Sequence, residues 1–326
     1  MVIARPTSVD VARSAGVSQA TVSLVLTGRA AGRVSLATQE RVRQAAEVLS
    51  YRVNAAARTL RLGRASAIAL VVPDIRNPFF ASVLRGAERA ARKSGYAVML
   101  LDADNRRTWQ HQALSALATG AVDGFVLCSD APPRGSAFAN LRSRVVTVDA
   151  PGTPSIELDV AGGTRLALEH LLHLGHRRIA HLASAVAKPT FAQRGAVYHA
   201  MVGEVAEGLE ARAPIDPQAA RPVARTLLRR TPTAVFCDDD VLAAGVYKAA
   251  RDLGLRIPAD VSVVGFDDIA LARLLEPELT TVAVPADRLG ERGVRRLLAV
   301  LHGQDQRPEP ILPVQLVVRG STGPLH

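Results

Sequence analysis

Hydrophobic and polar positions alternate with a helical period from Pro6 to Gly28. Thr7 followed three residues later by Asp10 has the form of a capping box, and Val9, Ala12 and Ala15 then share one face at helical spacing. Gly16 supplies a turn, since glycine reaches positive φ at little cost. Ser18 is placed to cap a second helix with Val22, Val25 and Leu26 inward and Gln19, Ala20, Ser23 and Thr27 outward. Residues Thr27 to Arg33 read as a loop. Ser35 opens a third helix that turns Val42, Ala46 and Leu49 inward and leaves Arg41 and Arg43 on the wet side. Three short helices around a small core form a helix-turn-helix headpiece. Its second helix, with small polar residues near its N-terminus, fits a major groove. A plain helical hairpin is the alternative that shape alone leaves open.

The pattern changes at Ala67. Ala67 to Val72 is a continuous apolar run, as expected of a strand buried on both faces. A loop to Phe80, a helix from Ala81 to Ser94, a strand from Tyr96, a helix over 105–119, a strand from Val122 to Cys128 and another from Arg144 to Asp149 follow. The cycle restarts near 161, with a helix through Ala167 to His176 and a strand from Arg178. A helix over 190–209, a strand from Thr233, a helix from Val241 to Leu253 and a strand from Val261 complete it. Strands and helices in alternation predict an α/β body of two similar lobes, each a doubly wound parallel sheet.

Composition sharpens this division. The chain has 326 residues, enough for two or three domains, and 48% of them are hydrophobic. No apolar run approaches the ~20 residues of a membrane span, and the N-terminus lacks an apolar signal core, so the expected location is cytoplasmic, with no membrane partner. The net charge of +10 is uneven: residues 1–64 hold ten arginines against Asp10, Glu40 and Glu47. A basic terminal module on a nearly neutral body is the footprint of a nucleic-acid binder. Cys128 and Cys237 end apolar runs far apart and read as buried free thiols. Between the two modules, residues 51–64 form a linker in which Asn54 can cap a helix of about two turns, too short to be stable alone in water. Leu60 within it is either an apolar wedge for a base step or part of a solvated tether.

The residue order carries more than the pattern. Asp10-Val-Ala-Arg-Ser-Ala-Gly-Val-Ser, Ala20-Thr-Val-Ser, Arg33-Val-Ser, Gln39-Glu-Arg-Val and Leu49-Ser-Tyr-Arg-Val-Asn closely resemble the headpiece of the lactose-repressor (LacI/GalR) family. Arg76-Asn-Pro-Phe-Phe, Val122-Asp-Gly, Leu174-Gly-His-Arg-Arg-Ile-Ala, Pro232-Thr-Ala-Val-Phe-Cys and Ile257-Pro-Ala-Asp-Val-Ser-Val-Val-Gly-Phe-Asp-Asp resemble that family's effector-binding core, itself similar to periplasmic sugar-binding proteins. Leu279-Thr-Thr-Val and Val318-Arg-Gly-Ser-Thr extend the match, which covers essentially the whole chain.

The resemblance implies a DNA-binding domain over 1–50, a hinge helix over 51–64 and a core over 65–326. The core's N-lobe would hold 65–159 and 287–311 and its C-lobe 160–286 and 312–326, with crossings near 160, 285 and 312. It implies DNA contacts from Thr7, Ser18, Gln19, Ala20, Thr21, Ser23, Leu24, Thr27 and Arg33, and minor-groove contacts from Asn54, Ala57 and Leu60. Leu24 stands where the family often has arginine, which moves base reading away from guanine and onto Gln19. Val53 stands where proline is usual.

Ligands of open α/β sheets bind beyond the carboxyl ends of the strands, and the candidate effector residues lie there: Phe79, Phe80, Asp149, Lys188, Arg194, Asp239 and Asp267. Arg194 matches the family's ligand-binding arginine; the aspartates are equally able to cap helices or pair with neighbours. In the run Asp238-Asp239-Asp240, Asp240 reads as the helix cap, and Asp239 replaces the asparagine usual in sugar-binding members. Val160 replaces another asparagine, the 211–220 stretch lacks the aromatic that often stacks on effector, and 150–155 is compressed.

Enzyme motifs such as Walker A, Gly-x-Ser-x-Gly, His-Glu-x-x-His and Gly-x-Gly-x-x-Gly are missing from the sequence. His170, His173 and His176 share roughly one helix face without a metal pattern, so neither metal nor cofactor is expected. The expected function is that of a homodimeric repressor binding a palindromic operator in double-stranded DNA, its affinity set by a sugar-like small molecule. A solute-binding protein with a vestigial head and an enzyme on a doubly wound scaffold are the rivals.

Overall fold

A computed structural model describes residues 6–51, 65–104, 109–128, 142–150, 154–203, 209–304 and 307–325. The chain divides at residue 65 into two units. In the first, α1 (Ser8–Ala15), α2 (Gln19–Leu26) and α3 (Leu36–Val48) enclose a core of Val11, Ala12, Ala15, Val22, Val25, Ala30, Val42, Ala45 and Ala46. Thr7 and Asp10 close a reciprocal capping box: the Asp10 amide donates to Thr7 Oγ1 at 3.4 Å and the Thr7 amide to Asp10 Oδ2 at 2.9 Å. Gly16 ends α1 at φ 63°, and Ser18 and Ser35 cap the next two helices. One inward position differs from expectation. Val9 is 47% exposed and Val11 takes its place, because α1 turns Val11, Ala12 and Ala15 together toward the other helices.

The second unit is α/β. Its first lobe is a parallel sheet in the order β2-β1-β3-β4-β5, formed by β1 (Ala67–Val72), β2 (Ala97–Asp102), β3 (Phe125–Cys128), β4 (Val145–Val148) and β5 (Ser155–Ile156). Central β1 is buried nearly throughout, with Leu70 between Leu100 and Val126. One face is covered by α4 (Phe79–Lys93), the other by α5 (Trp109–Ala118), whose Trp109 packs with Phe125 and Leu127. α4 begins two residues before the expected start, which draws Phe79 into the core.

The second lobe follows with α6 (Val160–His173), β6 (Ile179–Ser184), α7 (Pro189–Val202), β7 (Glu210–Ala213), α8 (Pro217–Leu228), β8 (Ala234–Cys237), α9 (Asp240–Asp252), β9 (Ser262–Asp267) and β10 (Thr280–Ala283). After β10, α10 (Ala286–Leu301) returns to the first lobe. It packs so closely on α4 that a Cβ on Gly86 would fall 1.8 Å from the Asp287 carbonyl oxygen, and one on Gly290 1.9 Å from that of Val83. β11 (Gln315–Val317) then completes a second sheet in the order β11-β10-β9-β8-β6-β7, parallel except for β10 with β11.

The continuous helix expected over 190–209 is corrected. α7 stops at Val202, Gly203 takes φ 61°, and β7 forms an edge strand at 210–213. That strand is short, and Glu210 and Arg212 interrupt any apolar run. α8 went unassigned because Pro217 and Pro222 break the helical signal; Pro217 occupies its first turn, where a missing N–H costs nothing.

Candidate nucleic-acid interface and ligand cleft

The headpiece presents its polar residues by default, since its small core uses the apolar ones. Ser18, Gln19 and Ala20 are exposed at the start of α2, and Thr21, Ser23, Leu24 and Thr27 are half-buried along it. Local hydrogen bonds orient several of them. Gln19 Nε2 donates to Ser8 Oγ at 2.7 Å, the Ser18 and Thr21 hydroxyls lie 2.9 Å apart, and Thr27 Oγ1 donates to the Ser23 carbonyl at 2.6 Å. α2 carries no acid in its first turn, which leaves the positive end of its dipole open to phosphate. Thr7 is exposed but committed to its capping box, and Arg33 is exposed in the loop before α3. Asn54, Ala57 and Leu60 lie outside the described residues.

The cleft sits where the strands of both sheets end. A cavity of about 450 Å³ is lined by Asn77 and Phe80 from the first lobe and by Lys188, Phe191, Ile215 and Val241 from the second, among others. Of the expected effector residues, Phe80 and Lys188 face it. Phe79 is only 6% exposed and belongs to the core, its ring edge-on to Phe80 at 5.2 Å. Asp149 ends β4 at a positive φ of 52° and is buried.

Arg194, Asp239 and Asp267 come together beneath the cavity. Arg194 is 3% exposed; its guanidinium lies over the Phe266 ring with 3.6 Å to the centroid, Nη1 donates to the Asp238 carbonyl, and Nη2 is 3.9 Å from Asp267 Oδ1. Asp239, not Asp240, caps α9: its Oδ1 accepts from the Val241 amide at 2.7 Å, and its Oδ2 accepts from Asn77 Nδ2 at 2.9 Å. Asp240 is drawn inward instead, bonded to the Thr281 hydroxyl at 2.6 Å and the Ile269 amide at 2.9 Å. The cap belongs one residue earlier because Asp239 is still extended (φ −160°) while Asp240 is helical.

Burial raises the pKa of all three carboxyls, as a low-dielectric site disfavours charge. Asp240 is pushed up to about 8 by burial, partly offset by the Thr281 hydroxyl, with the Asp239 carboxyl adding to the rise. Burial raises both Asp239 and Asp267; the Val241 and Asn77 amides hold Asp239 back, the Asp239 charge raises Asp267 further, and Arg194 opposes the shift in each.

Three residues here were not picked out from the sequence as site residues. Asn77 bridges the lobes to Asp239, Phe191 lies beside Arg194 with 5.2 Å from ring centroid to guanidinium, and Asp238 holds Arg194 through its carbonyl. Asp238 is itself fixed by His181, whose Nε2 is 2.8 Å from Asp238 Oδ1, and by the Ser184 amide. The available signal was His181 itself, a polar residue inside an apolar strand, which requires a buried partner. The three histidines of the α6 end make local hydrogen bonds. His176 bonds Thr233, Ser262 and the Gly323 carbonyl, His170 meets Thr322, and His173 meets the Glu169 carbonyl. Cys128 and Cys237 are buried thiols, and burial pushes both pKa values up.

A headpiece that bares the first turn of its second helix, in one chain with a two-lobed body closing on a buried polar cleft, defines a DNA-binding regulator with a small-molecule site. Residues 8–54 match the bacterial regulatory proteins of the lacI family, and residues 168–322 match a periplasmic binding protein-like domain. The chain is 36% identical over 323 residues to the ribose operon repressor of Halalkalibacterium halodurans, covering 96% of each protein. Its fold is similar to that of the Lac repressor dimer bound to operator and the anti-inducer ONPF, with a TM-score of 0.84, 28% identity and coverage of 98% of this chain and 100% of that one. It is also similar to a LacI family transcriptional regulator from Enterococcus faecium with bound ribose, with a TM-score of 0.72, 29% identity and coverage of 80% and 100%. The chain belongs to the lacI family, whose members are DNA-binding transcription regulators rather than enzymes.

Proposed function

We propose that this protein is a homodimeric repressor whose affinity for a palindromic operator is set by a small molecule in the cleft. The observation that carries the reading is the pairing, in one chain, of an exposed, acid-free α2 with a buried cleft that gathers Arg194, Asp239 and Asp267. In this reading Gln19, Ala20 and Leu24 read bases, while Thr7, Ser18, Thr21, Ser23, Thr27 and Arg33 hold the backbone. Asn54, Ala57 and Leu60 serve the minor groove between the half-sites. Phe80 and Lys188 meet the effector at the cavity wall, Arg194, Asp239 and Asp267 at the floor, and Phe79 and Asp149 support them. The operator and ribose of the related structures support DNA and a hydroxylated effector as the partners here. No helix among the described residues is long and apolar enough to cross a membrane, and a regulator of this kind works in the cytoplasm, where the DNA is.

The reading is tested by fluorescence anisotropy on a selected DNA duplex over a range of salt. Counterion release predicts that log K falls linearly with log salt concentration, and that a sugar seated in the cleft changes K. Binding indifferent to salt, or no specific duplex at all, would contradict it.

A further inference from the structure

Among the described residues, the floor of the cleft gathers more carboxyls than guanidinium groups. Asp239 and Asp267 are 1% and 9% exposed, and Arg194, whose Nη2 lies 3.9 Å from Asp267 Oδ1, is already engaged by the Asp238 carbonyl and the face of Phe266. Asp149 and Asp240 add carboxyls around the same pair. Asp239 is additionally supported as an anion, by the N-terminus of α9 and by the Asn77 amide.

A second feature is independent of this charge. Arg194 Nε and Thr190 Oγ1, one turn apart on α7 and both more than nine-tenths buried, have no hydrogen-bond partner. A buried donor left unmade is costly, and it marks where a bonding group is missing. The cavity adjoins this floor, because Asn77, Val241 and Phe191 line it while touching Asp239 or Arg194.

We propose that the effector carries a protonated amine beside a hydroxyl, as an amino sugar does. The inference rests on the cleft being the effector site. The ammonium sits between Asp239 and Asp267, so both carboxylates ionise against a positive charge. The neighbouring hydroxyl oxygen accepts from Arg194 Nε–H. Phe80 and Phe191 at the wall cover the apolar face of the ring. A neutral sugar brings no positive charge to offset the two buried carboxyls.

The test is calorimetric titration of the full-length protein, at neutral pH, with matched pairs: D-glucosamine and D-glucose, D-galactosamine and D-galactose, D-mannosamine and D-mannose. At least one amine is expected to bind about tenfold or more tightly than its neutral counterpart, the scale of one charge-assisted hydrogen bond. Asp239→Asn, which keeps the helix cap, is expected to remove most of that preference. Neutral sugars binding as tightly as their amines, no amine binding, or a preference that survives Asp239→Asn would each overturn the proposal. A neutral sugar that binds and alters DNA affinity would overturn the amine and leave the effector reading standing. An amino sugar that binds but never alters DNA affinity would do the reverse.

Discussion

Gln19, Ala20 and Leu24 are neighbours in sequence as well as in space, whereas Asn77, Arg194, Asp239 and Asp267 come from separate elements of two lobes. Gln19 and Ala20 are exposed and Leu24 half-buried, and the side-chain bonds around them reach at most eleven residues along the chain. Arg194, Asp239 and Asp267 are buried, and the half-buried Asn77 meets Asp239 across 162 positions of chain. The energetics differ accordingly. An exposed reading surface needs only a small core and good caps beneath it, and most of its own side chains are replaceable without loss of fold. In the cleft a change of one side chain leaves another buried and unpaired, so binding and stability are tied together.

The sharpest break in this comparison is a charge placed under the headpiece surface. Val42→Asp buries an unpaired carboxylate at a position with no exposure, in a three-helix core with little stability to spare. It is expected to abolish DNA binding while leaving the main melting transition of the 66–326 unit in place, as scanning calorimetry would show. Loss of both transitions together would mean that the two units do not fold separately.

In the cleft, Arg194→Ala is expected to weaken effector binding by roughly 1.5–3 kcal/mol, the worth of a charge-assisted hydrogen bond, with operator affinity unchanged in the absence of ligand. A titration in which Arg194→Ala still responds at the wild-type ligand concentration would reduce Arg194 to packing on Phe266 and Phe191.

Leu24 sharpens the other half. It is half-buried on α2 and offers a base only apolar contact, such as to a thymine methyl. Leu24→Arg is expected to add a guanine to the preferred half-site, worth about 1–3 kcal/mol of discrimination. If selection on random DNA returns the same half-site for both proteins, Leu24 does not face the bases.

A pH-dependent effect tests burial itself. Asp240 holds its proton up to about pH 8 in the folded chain, against an ordinary value near 4 when unfolded. The folded state therefore binds more protons than the unfolded between those limits, and stability falls as pH rises through that window, by at most about 1.4 kcal/mol per pH unit from this group. Below it the contribution is fully present, and above it the loss is complete. Asp240→Asn cannot ionise and keeps an acceptor for the Ile269 amide, while its amide nitrogen can donate to the Thr281 hydroxyl that donates to Asp240 Oδ1 in the native chain, so urea denaturation across pH should show a flatter slope. An unchanged slope would place the titration elsewhere.

What the sequence made legible follows the same division. The capping box at Thr7, the turn at Gly16 and the caps at Ser18 and Ser35 are local signals, and all four stand in the structure. The alternation of buried strands and helices likewise fixed the α/β class. Val9 was misplaced because helical spacing admits either Val9 (three before Ala12) or Val11 (four before Ala15) until the partner helices are known. β7 and α8 were hidden by charge and proline, whose costs tertiary packing absorbs. In the cleft, the candidate aspartates and Arg194 were visible as strand-end residues matching a family, but their pairing was not. Which of three consecutive aspartates caps α9, which meets Asn77 and which supports Arg194 through its carbonyl depends on chain brought from elsewhere, and no spacing within Asp238-Asp239-Asp240 encodes it.

The central claim is that sequence-specific DNA recognition resides in the headpiece of a dimer. It is tested most directly by selecting binding sites from random duplex DNA with the full chain and, in parallel, with residues 65–326. The account predicts two inverted half-sites enriched by the full chain and none by the shorter one. Enrichment of a specific sequence by residues 65–326, or of a single unrepeated half-site by the full chain, would contradict it.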